Sequence, residues 1–203
     1  MMPSKRHSVL TAPNFTSFMR TPLPTDQKLL TLMHFNLIRA LTRNITLLGL
    51  EPDDLNDDIT SPFNVPSLLE KLDMEALPPT LHPTKLQLMI PHHPEIDVFP
   101  YPRLRDNYLL MEAEINDDFC ADMLYGVDPD DNQKIGGWVE GKSLGARTGL
   151  IVWDDPWKQE SWEVDEGFAR KWRRLFVGCE DLIRSTNYWR AKRGEPRLIL
   201  ETP

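Results

Sequence analysis

Residues 25–49, TDQKLLTLMHFNLIRALTRNITLLG, decide the fold class. Leu29, Met33, Leu37, Leu41 and Leu48 recur at helical spacing, and Leu32, Phe35, Ile38 and Ile45 widen the stripe. Thr25 suits the N-cap, and Gly49 suits a stop in the left-handed conformation that disfavours a Cβ. At roughly 1.5 Å per residue the helix is about 35 Å long. So wide an apolar arc predicts neighbours on more than one side. The chain reads as mainly α, a single irregular helical domain with long core helices and Pro-rich extended segments.

Working outward, the spacing predicts a short helix over 67–72 and another over Thr80–Ile90, with Pro83 in its first turn. The run PHHPEIDVFPYPR (91–103) carries too many prolines for a helix. Its Ile96, Val98, Phe99 and Tyr101 suit an extended segment laid across the core. Helical spacing returns at Leu104, Tyr108, Met111 and Ile115, then at Phe119, Met123 and Leu124. LIVW (150–153) reads as a short strand lacking an evident partner, or as an extended core-lining segment. DDPWKQESW (154–162) reads as a turn. Finally Phe168, Trp172, Leu175, Cys179, Leu182, Thr186 and Trp189 alternate steps of four and three. That predicts one long core helix with Glu166–Arg170 and Glu180–Arg184 pairs outside. The same spacing suits a zipper seam, but Trp, Cys and Thr are odd zipper residues, so a monomer is expected over a zipper dimer. The expected organisation is a flexible tail at 1–24, a helical domain at 25–197 with a mobile insertion at 127–147, and a C-terminal tail at 198–203.

The 203 residues, 40% hydrophobic, suffice for a core without a metal or disulfide staple. Cys120 and Cys179 lie far apart and read as core thiols in a reducing, intracellular compartment. No stretch of 18 apolar residues predicts a membrane span, and the N-terminus does not read as a secretory signal. The net charge of −8 is uneven. Asp106–Asp131 holds nine acidic side chains and no Lys or Arg, whereas Arg184–Arg197 holds five basic ones against Glu195. Autonomous sequence-specific DNA binding is therefore not expected.

His92, His93, Glu95 and Asp97, with His82 upstream, are the one cluster of metal-ligand types, and a structural turn is the expected reading. No nucleophile elbow, phosphate loop or Cys–His motif occurs, so no catalytic residue, cofactor or metal is assigned. The polar-aromatic runs at 103–107 and 184–195 carry more. Arg105, Asp106 and Asn107 are expected to form an internal network with Arg184 and Asn187, which would hold the last helix in place. Alternatively these residues, with Tyr188, Trp189 and Arg190, form a recognition patch, since Trp, Tyr and Arg dominate interface hot spots. Trp172 and Trp189 are expected in the core, with Trp157 and Trp162 left open.

Three motifs in order, HPTKLQLMIPHHPEIDVFPYPRLRDNYLL, GLIVWDDPWKQESWEVDEGFARKW and GCEDLIRSTNYWRAKRGE, resemble the fungal domain of unknown function that commonly follows the basic leucine zipper in fungal bZIP transcription factors. FNLIRALTRNITLLGL (35–50) resembles its opening helix, and the resemblance covers about 26–196. It implies a non-enzymatic regulatory or interaction module, a nuclear location, and a transcription factor or co-regulator as partner. Two departures stand out. Glu95 replaces the tryptophan of a P-H-P-W-I-D run, implying a less buried turn. No long basic region or leucine heptad precedes the domain. The alternative is a small-ligand-binding protein or enzyme with a pocket near 92–108 and 153–162.

Overall fold

The computed structural model describes residues 25–56, 58–111, 115, 117–127 and 148–200. The expected tail at 1–24 and the insertion beyond Val127 lie outside the described residues. The fold is mainly α.

Helix α1, Thr25–Leu47, ends as its sequence dictates. Gly49 takes φ +75°, and the Leu50 N–H reaches back to the Ile45 carbonyl at 3.2 Å. Met33, Leu37, Ala40, Leu41, Ile45 and Leu48 are buried. The rest of the wide arc behaves differently. Leu29, Leu32 and Phe35 are 54%, 52% and 42% exposed rather than buried on a second side.

A short helix α2 (Pro66–Leu69) and a 3-10 turn (Pro79–Leu81) lead to α3, Lys85–Met89. The helix expected over 80–90 is therefore split, and Pro83 stands outside it. Thr84 supplies the start through a reciprocal capping box with Gln87. The Gln87 N–H donates to Thr84 Oγ1 at 3.1 Å, and the Thr84 N–H donates to Gln87 Oε1 at 2.9 Å. Beyond the Pro-rich run come α4, Pro102–Met111, and α5, Asp117–Tyr125.

Strand β1, Leu150–Val152, does have a partner. Strand β2, Trp162–Val164, pairs with it antiparallel, Ile151 opposite Glu163. The turn expected at 154–162 gives way to this strand at Trp162. All six strand residues are buried. Leu150, Val152, Trp162 and Val164 join the main core, while Ile151 and Glu163 share the other face. The ribbon sits between α1, packed on β1, and α7 (Glu180–Lys192), packed on β2. Gly149 leads into it under tight constraint: a Cβ there would meet the Phe168 ring at 2.5 Å and the Asp122 carbonyl at 2.6 Å.

The long helix expected over 168–189 is broken. Helix α6, Glu166–Lys171, gives way to a 3-10 turn at Arg173–Phe176, and α7 follows. Gly178 at φ +75° makes the break. The stripe still points inward across it, with Phe168, Leu175, Cys179, Leu182 and Thr186 buried. Outside, Glu166–Arg170 forms at 2.7 Å, whereas Arg184 pairs with Asp181 rather than Glu180. The tryptophans reverse the expected order. Trp162 is fully buried, while Trp172 and Trp189 are only partly so. Neither cysteine is in a disulfide, and Cys179 is buried and Cys120 half-buried. Packing extends past 197: Leu198 is buried, and its N–H donates to Asn187 Oδ1 at 2.7 Å. No described helix is long and apolar enough to cross a membrane.

Candidate functional site

Two polar clusters use the motif residues, one inside the domain and one at its surface. The inner cluster grows from the Pro-rich run. His93 caps a 3-10 turn at Pro94–Ile96, and this delivers Asp97 into the core with no exposed surface. Its carboxylate accepts from Ser61 Oγ (2.6 Å), Gln87 Nε2 (2.6 Å) and His92 Nε2 (2.8 Å). His92 Nδ1 lies 2.6 Å from the Ile90 carbonyl. Both ring nitrogens thus face acceptors, an arrangement that a doubly protonated imidazole satisfies. Gln87 Oε1 in turn accepts from Arg105 Nε at 2.9 Å. The remaining Arg105 nitrogens reach the carbonyls of Thr80, Phe99 and His82. Burial lowers the Arg105 pKa to about 10, opposed by Asp97 and Asp106, which leaves it charged at neutral pH.

This accounts for the metal-ligand types. His92 and Asp97 serve the network, and His93 serves the turn. Among the described residues no group of three or more His, Cys, Asp and Glu is placed to hold a metal ion. Glu95 does not open the turn: Pro94, Ile96, Asp97 and Val98 are buried, and the Tyr108 hydroxyl donates to Glu95 at 2.6 Å.

The two polar-aromatic runs do not meet as expected. Asp106 accepts from Thr84 Oγ1 at 2.5 Å, and Asn107 donates to the Leu175 and Val177 carbonyls, each at 2.8 Å. Arg184 is exposed, and Asn187 binds the Leu198 backbone. The cause is the Gly178 break, which puts the carbonyls of the 175–177 turn against Asn107 in place of side chains from α7. Arg190 folds back to the Pro196 carbonyl (2.6 Å) and Glu166 (3.2 Å). Trp162 donates to the Pro156 carbonyl at 2.8 Å, and the Arg43 guanidinium lies 4.9 Å over the Trp157 ring.

The outer cluster surrounds the end of α7. Glu163, on the second face of the ribbon, is 1% exposed and receives the Arg193 guanidinium through two nitrogens, at 2.5 and 2.9 Å. The carboxylates of Glu195 and Glu163 hold the Arg193 pKa above its ordinary value. Trp153 Nε1 also donates to Glu163, at 2.9 Å, and the Trp153 ring stacks on Trp189 with centroids 5.1 Å apart. Trp189 Nε1 donates to the Glu160 carbonyl, and Tyr188, 52% exposed, meets Trp189 edge-on. The Lys192 ammonium lies 4.9 Å from the Tyr188 centroid and 5.8 Å from that of Trp189. Of these residues, sequence reasoning nominated Tyr188 and Trp189 by name, held Lys192 and Arg193 only within the 184–195 run, and missed Trp153 and Glu163. The available signals were the i,i+4 spacing of Arg184, Tyr188 and Lys192, and the alternation Trp162–Glu163–Val164.

The segments proposed to frame a ligand pocket are tied to each other and to α1. Tyr101 Oη donates to the Gln159 carbonyl (2.5 Å), and Gln159 Nε2 donates to the Pro100 carbonyl (2.8 Å). Asn44 Nδ2 bridges the carbonyls of Val98 (2.8 Å) and Pro156 (3.0 Å). A shallow hollow of about 240 Å³ is lined by Asn107, at the end of the first of these segments, with Leu110, Met111, Arg174 and Val177 and with no residue of 153–162.

With this geometry in place, comparison with known families gives a match over residues 64–183 to a domain of unknown function, DUF3425. The matched span takes in Gln87, His92, Asp97 and Arg105 and stops before Tyr188. Comparison with curated proteins and with solved structures returns no match.

Proposed function

The chain belongs to the DUF3425 family, the domain that follows the bZIP region in fungal bZIP factors, and from that premise we propose that it is a non-enzymatic regulatory or protein-interaction module. The observation that supports this reading is the aromatic surface at the end of α7. Both indole N–H groups there are satisfied from within, so Trp153 and Trp189 are held in place while Tyr188 projects outward. Rigid aromatic residues of this kind lose little freedom on binding and are frequent hot spots. The inner network, by contrast, closes on the chain itself and serves the fold. The partner in this reading is a transcription factor or co-regulator in the nucleus, and the chain reads no DNA sequence by itself.

The test is capture of the tagged protein from its own cells, wild type beside Tyr188→Ala. The expected result is a nuclear partner recovered by the wild type and lost from the variant, with unchanged thermal melting. Identical sets of proteins recovered by both would count against the module acting through this surface.

A further inference from the structure

We propose that the surface formed by Tyr188, Trp189 and Lys192, with Trp153 stacked behind Trp189, takes an acidic, apolar peptide segment of its partner. A carboxylate of the segment meets the Lys192 ammonium, and an apolar side chain lies on the rings. This rests on the interaction-module reading and adds the chemistry of the partner to it.

The first argument is what the rings offer. Trp189 spends its N–H on the Glu160 carbonyl, and Trp153, which holds it by stacking, is itself met by the Arg193 guanidinium 5.5 Å over its ring, so the surface offers ring carbon of Tyr188 and Trp189 rather than indole donors. Apolar groups gain from covering such carbon.

The second argument is the charge inventory along α7. Arg184 is paired with Asp181, Arg190 with Glu166, and Arg193 with Glu163 and Glu195. Lys192 differs. Among the described residues no carboxylate lies within ion-pair distance of it, and its ammonium rests over the Tyr188 and Trp189 rings. The surface therefore offers one available cation beside the rings of Tyr188 and Trp189, which complements one carboxylate beside an apolar side chain. A nucleic acid fits less well, because phosphate binding draws on several free cations and the neighbouring arginines are already matched.

The third argument is reach. Tyr188 and Lys192 stand at i and i+4, about 6 Å apart along the helix at roughly 1.5 Å per residue. An extended peptide of about two residues spans that length, which puts one carboxylate and one neighbouring apolar side chain within reach.

The experiment is fluorescence anisotropy with the full chain and three labelled probes. These are a short peptide alternating aspartate with leucine, its counterpart with lysine for aspartate, and an oligothymidine of similar length. The expected result is binding of the aspartate peptide alone, weakened about tenfold or more by Tyr188→Ala and by Lys192→Glu. Lys192→Arg, which keeps the charge, should retain most of the binding, and matching melting curves will show that the variants fold. Equal binding of the lysine peptide, or aspartate-peptide binding indifferent to both variants, would overturn the proposal. Oligothymidine binding lost in the same variants would overturn it in favour of a base-stacking platform. If no peptide binds while Tyr188→Ala still abolishes partner capture, the partner chemistry is wrong and the interaction reading stands.

Discussion

The inner network around Asp97 and the outer cluster around Glu163 use similar residues to different ends. Each centres on a buried carboxylate and includes an arginine. Inside, Asp97 is closed by Ser61, Gln87 and His92, and Gln87 turns its amide so that its oxygen faces Arg105. Both charges are fully buried. Outside, Glu163 is equally buried, but the Arg193 side chain is 30% exposed, Trp153 and Trp189 are half-buried and Tyr188 is exposed. Residue type therefore does not separate the structural network from the proposed recognition surface. What separates them is whether chain lies over the cluster.

The largest expected effect tests the inner half of that contrast. Arg105→Met leaves three carbonyls without their Arg105 donors, leaves the Gln87 oxygen with the Thr84 N–H alone, and removes the cation near Asp97. Loss of such a buried charge partner costs about 3–5 kcal/mol, readable by chemical denaturation. Trp162→Ala should cost a similar amount, about 3–5 kcal/mol, and clearly more than Trp172→Ala, because the Trp162 ring is entirely enclosed. A loss below about 1 kcal/mol for Arg105→Met would show that the network is not a structural keystone.

Arg193→Ala tests the boundary between the two regions. Glu163 would keep the Trp153 N–H but lose its charge partner. Because solvent reaches the vacated position, the expected loss is smaller, about 1–3 kcal/mol. A loss matching that of Arg105→Met would erase the distinction drawn here.

Cys179 offers a smaller, pH-dependent check on core closure. Burial raises its thiol pKa to about 12, so the unfolded chain ionises at lower pH than the folded one. Stability should therefore fall as pH rises from about 9, by on the order of 1 kcal/mol per unit, until the folded thiol also ionises. Cys179→Ala should flatten this part of the alkaline denaturation profile. An unchanged profile would mean that the thiol is reached by solvent.

Much of the fold was legible because apolar spacing and turn chemistry are local. The stripe of α1 and its stop at Gly49 were readable, as was the inward turn of Ile96, Val98, Phe99 and Tyr101. The break at Gly178 was hidden because a 3-10 turn followed by a left-handed glycine kept Leu175, Cys179 and Leu182 pointing inward, so the stripe ran on unbroken. Strand β2 was hidden because three residues give almost no period. Trp162 was undervalued for the same reason, since its burial comes from the ribbon and from Phe99, distant in sequence. The outer site was half legible. Tyr188 and Trp189 stood out by type, but their connection to Trp153 depends on a strand pairing that local pattern does not reveal. Arg184 and Asn187 were assigned to the wrong contact because the break redirects α7.

The smallest expected change in stability accompanies the most telling change in binding. Tyr188→Ala removes a half-exposed ring and should alter unfolding free energy by no more than about 0.5 kcal/mol. If the outer cluster is where the module meets its partner, the same substitution should remove about 2 kcal/mol of binding, roughly a 30-fold loss of affinity. The decisive measurement is the dissociation constant of the captured partner for wild-type and Tyr188→Ala protein with matched melting curves. A weakening of about 30-fold is the predicted result, and an affinity unchanged within about twofold would contradict the account.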